Sequence, residues 1–170
     1  SLLSKRHEKY FVINDGDEFQ IQIDSNAPET YTFSATNGTS TSQSSPSNVI
    51  ANGDTLTLSI NGETAKTITI PLSINGYTVA DTIQRLVREL IADDVENQPA
   101  YTHFKCEYDG HYKLISGTLG TNSSVNVISG TAKTKLKLGS NEISGTGDCA
   151  NNYFFSIAEL IAASSFTAEI

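Results

Sequence analysis

The apolar positions of this chain alternate more often than they recur at helical spacing. Phe19, Ile21 and Ile23 stand two apart between polar Glu18, Gln20 and Gln22, the mark of a half-buried strand. Tyr31 and Phe33 resume the alternation after a turn from Asp24 to Glu29 that contains Pro28, so a hairpin is expected. Leu56, Leu58 and Ile60 share one face of a further strand, and Asn61-Gly62 reverses it because both residues tolerate the positive φ of a tight two-residue turn. The return strand carries Ile68 and Ile70 between threonines, and Pro71 ends it by removing a backbone donor. After Asn75-Gly76 the period changes. Thr78 is placed to cap a helix with Asp81 three residues on, and Val79, Ile83, Leu86, Val87, Leu90 and Ile91 fall on one apolar stripe. Such a stripe needs a sheet to cover.

Further on, Phe104, Cys106 and Tyr108 alternate, Asp109-Gly110 turns the chain, and Tyr112 and Leu114 alternate on the way back, a third hairpin. Val125 to Ile128 is a short strand closed by Gly130. From Thr131 to Gly139, Leu136 and Leu138 stand among Lys133, Lys135 and Lys137, which favours a strand, with a helical turn as the rival reading. Phe154, Ile157, Leu160 and Ile161 are at helical spacing and predict a short amphipathic helix from Phe154 to Ala163. Between these elements, Ala35 to Asn48 reads as a polar loop around Pro46, and Asp93 to Pro99 as a link that ends the central helix. Residues 1–9 read as an arm that orders on a partner. The predicted fold is mainly β (α+β): antiparallel hairpins packed on one central amphipathic helix, with a short C-terminal helix. Three stretches divide it: 1–48 (arm, first hairpin and polar loop), 49–139 (hairpin-helix-strand core) and 140–170 (C-terminal loop and helix), together one compact domain.

The first two hairpins form a partial internal repeat at an offset of 37 residues. Val12-Ile13 falls on Val49-Ile50, Gly16-Asp17 on Gly53-Asp54, and Phe19, Ile21 and Ile23 on Leu56, Leu58 and Ile60. Thr30 to Phe33 falls on Thr67 to Ile70. The copies then diverge, the first into the polar segment and the second into the helix.

The 170 residues are enough to bury a proper core. A net charge of −8 argues against a surface that neutralises nucleic-acid phosphates, which needs clustered Lys and Arg. An acidic wall that repels DNA is compatible with it. The longest apolar runs are far shorter than a bilayer span, so the chain reads as soluble, with no membrane span. Cys106 and Cys149 are the only cysteines. They are too few for a disulfide framework, and a single bond through either, within or between chains, stays open.

Candidate chemistry is thin. His103, Cys106 and His111 are the nearest approach to a metal set, but their spacing fits no structural zinc pattern, and alternation puts His103 and Cys106 on opposite faces. Asp15-Gly16-Asp17 and Asn52-Gly53-Asp54 are better explained by turns than by calcium, which needs more oxygens at graded spacing. No serine lies in a Gly-x-Ser-x-Gly elbow, the histidines have no evident acid partner, and Gly145-Thr146-Gly147 lacks the dinucleotide context. No catalytic, cofactor-binding or metal-binding residue is assigned. Tyr77, Tyr101 and Tyr153, in or near loops, are the candidate platforms for a glycan- or receptor-binding alternative.

The run from Gly53 to Gly62, with Thr67-Ile68-Thr69-Ile70-Pro71 and then Tyr77-Thr78-Val79-Ala80-Asp81-Thr82-Ile83, resembles a hairpin-helix-strand module of tailed-bacteriophage virion structural proteins. A related form occurs in flagellar hook-associated proteins, whose long terminal heptads have no counterpart here. The resemblance continues through Tyr108-Asp109-Gly110 and Ser123-Ser124-Val125-Asn126-Val127, spanning about Val49 to Gly130. It carries no active site. It implies a non-enzymatic assembly part in the virion: a ring, tube or shell-bound subunit of the neck, tail or capsid, whose partners are further copies of itself and other virion proteins. The arm and the stretch from Phe154 to Ile170 lie outside the resemblance and are the candidates for intersubunit contact.

Overall fold

A computed structural model describes residues 11–71, 78–147, 149–154, 159–160 and 162. Two-residue periodicity and turn residues yield strands β1 (Phe11–Val12), β2 (Glu18–Ile21), β3 (Glu29–Thr32), β4 (Asn37–Thr41), β5 (Thr55–Ile60) and β6 (Lys66–Thr69). Helix α1 (Val79–Arg88), a 3-10 turn (Val95–Asn97) and helix α2 (Gln98–Thr102) follow. The chain then forms β7 (Lys105–Tyr108), β8 (Tyr112–Leu119), β9 (Val125–Ser129), helix α3 (Thr131–Leu136), β10 (Glu142–Ile143) and β11 (Tyr153–Phe154). The fold is mainly β, and every strand pairing is antiparallel. The described sheets run β10-β4-β8-β7, β6-β5-β9, β2-β3 and β1-β11.

The stretch after β6 obeys its local chemistry. Asn61 and Gly62 take φ of 52° and 73°, so the β5–β6 hairpin turns as expected. At the start of α1, Thr78 Oγ1 accepts the Asp81 amide at 3.1 Å and Asp81 Oδ2 accepts the Thr78 amide at 3.4 Å, a complete capping box. Ala80, Thr82, Ile83 and Val87 are buried, and Val79, Leu86 and Leu90 pack against the same core. The apolar stripe is shorter than its spacing suggested. Because the helix ends at Arg88, Ile91 leaves the helical phase and is 59% exposed.

Three other expectations are corrected. The segment from Ala35 to Asn48 is not all loop: β4 lies inside the four-stranded sheet between β10 and β8. β4 has no apolar residue, yet Gly38 and Ser40, with Ser42 just past its end, alternate on the buried side. The period is one of size. A Cβ on Gly38 would overlap the Ser123 carbonyl oxygen, and the Gly38 amide donates to Ser123 Oγ at 2.7 Å. Thr131 to Leu136 is helical, not a strand, because burial falls on Ala132 and Leu136, four apart, and the chain leaves through Lys137 at φ 51°. Phe154 pairs with Phe11 in β11 rather than starting a helix. Glu159, Leu160 and Ala162 are helical, and the rest of that predicted helix lies outside the described residues.

Among the described residues two hydrophobic clusters organise the molecule. The larger draws only on residues from Ile50 to Leu138 and joins the sheet of β5 to α1, α2, α3 and the β7–β8 hairpin. The smaller takes Tyr31, Phe33 and Ala35 from one end of the chain and Cys149, Phe154 and Leu160 from the other. Asn152 stitches these ends together: its backbone and side chain both engage Ile13, and its Oδ1 accepts the Leu119 amide at 2.8 Å.

The internal repeat is reproduced bond for bond. β2–β3 pairs Glu18 with Thr32 and Phe19 with Tyr31; β5–β6 pairs Thr55 with Thr69 and Leu56 with Ile68, each 37 residues on. The Asp17 carboxylate accepts the Asn14 amide at 2.7 Å, and the Asp54 carboxylate accepts the Ala51 amide at the same distance. Phe33 N donates to Asp17 O and Ile70 N to Asp54 O, both at 2.8 Å. Even the tips agree, with Asp24 and Asn61 both at φ 52°.

Candidate interaction surface

The two copies of the hairpin differ in what surrounds them. Antiparallel pairing alternates the direction of backbone groups. Since Ile70 N donates to Asp54 O, the groups of Leu56 and Leu58 face β6, and those of Thr55 and Thr57 face outward. β9 closes that outer edge, pairing Leu58 with Val127 and Ile60 with Val125. Helix α3, next along the chain, completes the closure. Its Thr131 Oγ1 accepts the Thr55 amide at 3.0 Å, and Lys135 Nζ lies 2.6 Å from Asp54 Oδ2. The Ala51 amide, then Lys135, hold the Asp54 carboxyl down to about 2 from the usual 3.8.

By the same alternation Glu18 and Gln20 turn their backbone groups to the outer edge of β2, and among the described residues no strand pairs there. A cavity of 410 Å³ runs beside this edge, lined by Ile13, Phe19, Ile21 and Leu160 with Asp17 and Glu18 at its border. Residues 11–33 hold five carboxylates, Asp15, Asp17, Glu18, Asp24 and Glu29, and no Lys, Arg or His. Asp15 and Asp17 are engaged by backbone, the first accepting the Ala35 amide at 3.1 Å, which is turn chemistry.

The β7 edge of the four-stranded sheet is guarded. Gln84 Oε1 accepts the Cys106 amide at 3.1 Å and Arg88 Nε donates to the Phe104 carbonyl at 2.7 Å, so α1 caps β7 through side chains. A cleft of 680 Å³ opens where the start of α1 meets this edge, lined among others by Val49, Thr78, Cys106, Tyr108 and Tyr112. Tyr108 is half exposed, and its ring lies 4.6 Å from that of Tyr112.

The residues singled out from sequence are scattered. Cys106 is buried in the larger cluster, where burial, helped by Asp81 and Glu107, pushes its thiol up to about 12. Cys149 is buried in the smaller cluster, and no disulfide joins the two. At 6% and 3% exposure they leave little thiol surface for a bond between chains. His103 ends α2 and stacks on Tyr153 with ring centroids 5.8 Å apart; desolvation, then the Arg88 charge, lowers its pKa. His111 is exposed in the β7–β8 turn. Among the described residues no three or more His, Cys, Asp or Glu side chains are grouped to hold a metal ion. Tyr101 and Tyr153 are 1% and 7% exposed and offer no platform to a sugar, while Tyr77 lies outside the described residues. No described helix is long and apolar enough to cross a membrane.

The edge of β2, unpaired among the described residues, is not marked in the sequence by any reactive side chain. The signal was present in the repeat, whose first copy lacks the elements that follow the second. No protein-family model matches the chain, and a search of curated proteins finds no match.

Proposed function

We propose that the chain is a non-enzymatic structural subunit of a tailed-phage virion, assembling with copies of itself and with other virion proteins as a ring, tube or shell-bound part of the neck, tail or capsid. The reading is supported by the succession of elements over residues 50–129. A hairpin with an Asn-Gly tip, a helix with a capping box, a second hairpin and a strand returning to β5 follow the order of the module that the sequence resembles. Titratable side chains in this module serve its architecture: Asp54 holds a turn, Asp81 caps α1, and Asp93 takes the Thr64 amide and Lys66. An acidic surface suits a part that lines or borders a DNA conduit, since like charge keeps the nucleic acid from adhering. Mass spectrometry of purified particles, with light scattering of the isolated protein, tests the reading. Presence in particles and a defined oligomer are expected; a strict monomer absent from particles overturns it.

A further inference from the structure

We infer that the outer edge of β2 is a docking site for an extended strand of another protein chain, one with apolar side chains at alternate positions followed by basic residues. The inference deepens the assembly reading and rests on it for the presence of that chain. Its template is internal. The equivalent edge, on β5, is occupied by β9, whose Val125 and Val127 are buried while Asn126 faces out. On β2 the outward backbone groups of Glu18 and Gln20 have no partner among the described residues, and the 410 Å³ cavity with Ile13, Phe19, Ile21 and Leu160 along it lies where alternate apolar side chains of an added strand would pack.

The charge of the occupant follows from the same comparison. In the closed copy, Lys135, six residues beyond the end of β9, reaches Asp54. Asp17 is the repeat equivalent of Asp54 and has the same backbone bond, but no described cation is paired with it. With five carboxylates and no base in residues 11–33, pairing of β2 with β2 of a second copy would set like charges together, whereas a basic strand is drawn in.

The probe is a synthetic peptide of residues 123–137, the chain's own β9 and α3, added to the full chain; a control peptide carries glutamate in place of Lys133, Lys135 and Lys137. Hydrogen exchange is read at the Glu18 and Gln20 amides. The expected result is peptide-dependent slowing there, lost with the control and weakened about tenfold by Asp17→Asn, which removes the charge without touching the edge. Gln20→Pro removes an outward donor and should abolish the slowing. Four results overturn the inference: no slowing at millimolar peptide, slowing confined to the β5 edge, an equal effect of the glutamate peptide, or slowing without peptide. In the last case, independence of concentration would identify closure by the chain itself, and growth with concentration a second copy. Particle mass spectrometry is read separately, so a failed dock leaves the virion assignment standing, and absence from particles leaves the dock standing.

Discussion

At Asp54 one carboxylate joins two parts of the chain: its own turn through the Ala51 amide and α3 through Lys135. Its pKa lies below the unfolded value, so its contribution is present above about pH 4 and is lost as pH falls toward about 2. Asp54→Asn should lower stability at neutral pH by ~1 kcal/mol and flatten the acid limb of a urea-unfolding pH series. Asp17→Asn, at the exposed equivalent position, should stay within ~0.5 kcal/mol. Gly38 tests a different constraint. Its Cβ-free backbone lies against Ser123 and Ser124, so Gly38→Ala should cost about 1–3 kcal/mol by the same assay. Asp54 could be read from sequence as a turn residue through its repeat partner. Its bond to Lys135, 81 positions away, could not.

Among the elements, α1 was legible to the residue at its start, because a capping box is local chemistry, and illegible at its end, because an apolar spiral continues on paper after the hydrogen bonds stop. Thr78→Ala should therefore lower stability by ~1 kcal/mol, whereas Ile91→Ser should change it by less than ~0.5 kcal/mol; denaturant unfolding separates the two. Helix α3 shows the opposite difficulty. Leu136 and Leu138 are both buried, so their spacing of two mimicked a strand, and only Ala132, sealed beneath the turn before, reveals the helical period. Leu136→Ala should cost about 2–5 kcal/mol, since its side chain is fully buried in the larger cluster. β4 carries no apolar signal: hydrophobicity is the usual marker of a buried strand, and its buried positions are Gly38 and Ser40.

Across the whole molecule, the larger cluster is built from one continuous stretch of chain and the smaller from its two ends. Cys106 and Cys149 fall one in each, both buried. Alkylation of the native protein at neutral pH should accordingly be slow at both thiols and become rapid on unfolding, and non-reducing gels should show no crosslinked chains; fast native labelling of Cys106 would contradict its burial. The sequence by itself determined the hairpins, their turns, the repeat and the start of α1, since alternation, positive φ and capping are settled within a few neighbouring residues. Only the tertiary structure decided that a segment without apolar residues becomes the inner strand β4, that Lys135 finds Asp54, and that β9 closes β5 while the matching edge of β2 has no described strand beside it. Those outcomes depend on which distant backbone groups and side chains meet, and two hairpins of the same local pattern carry no local record of their different neighbours.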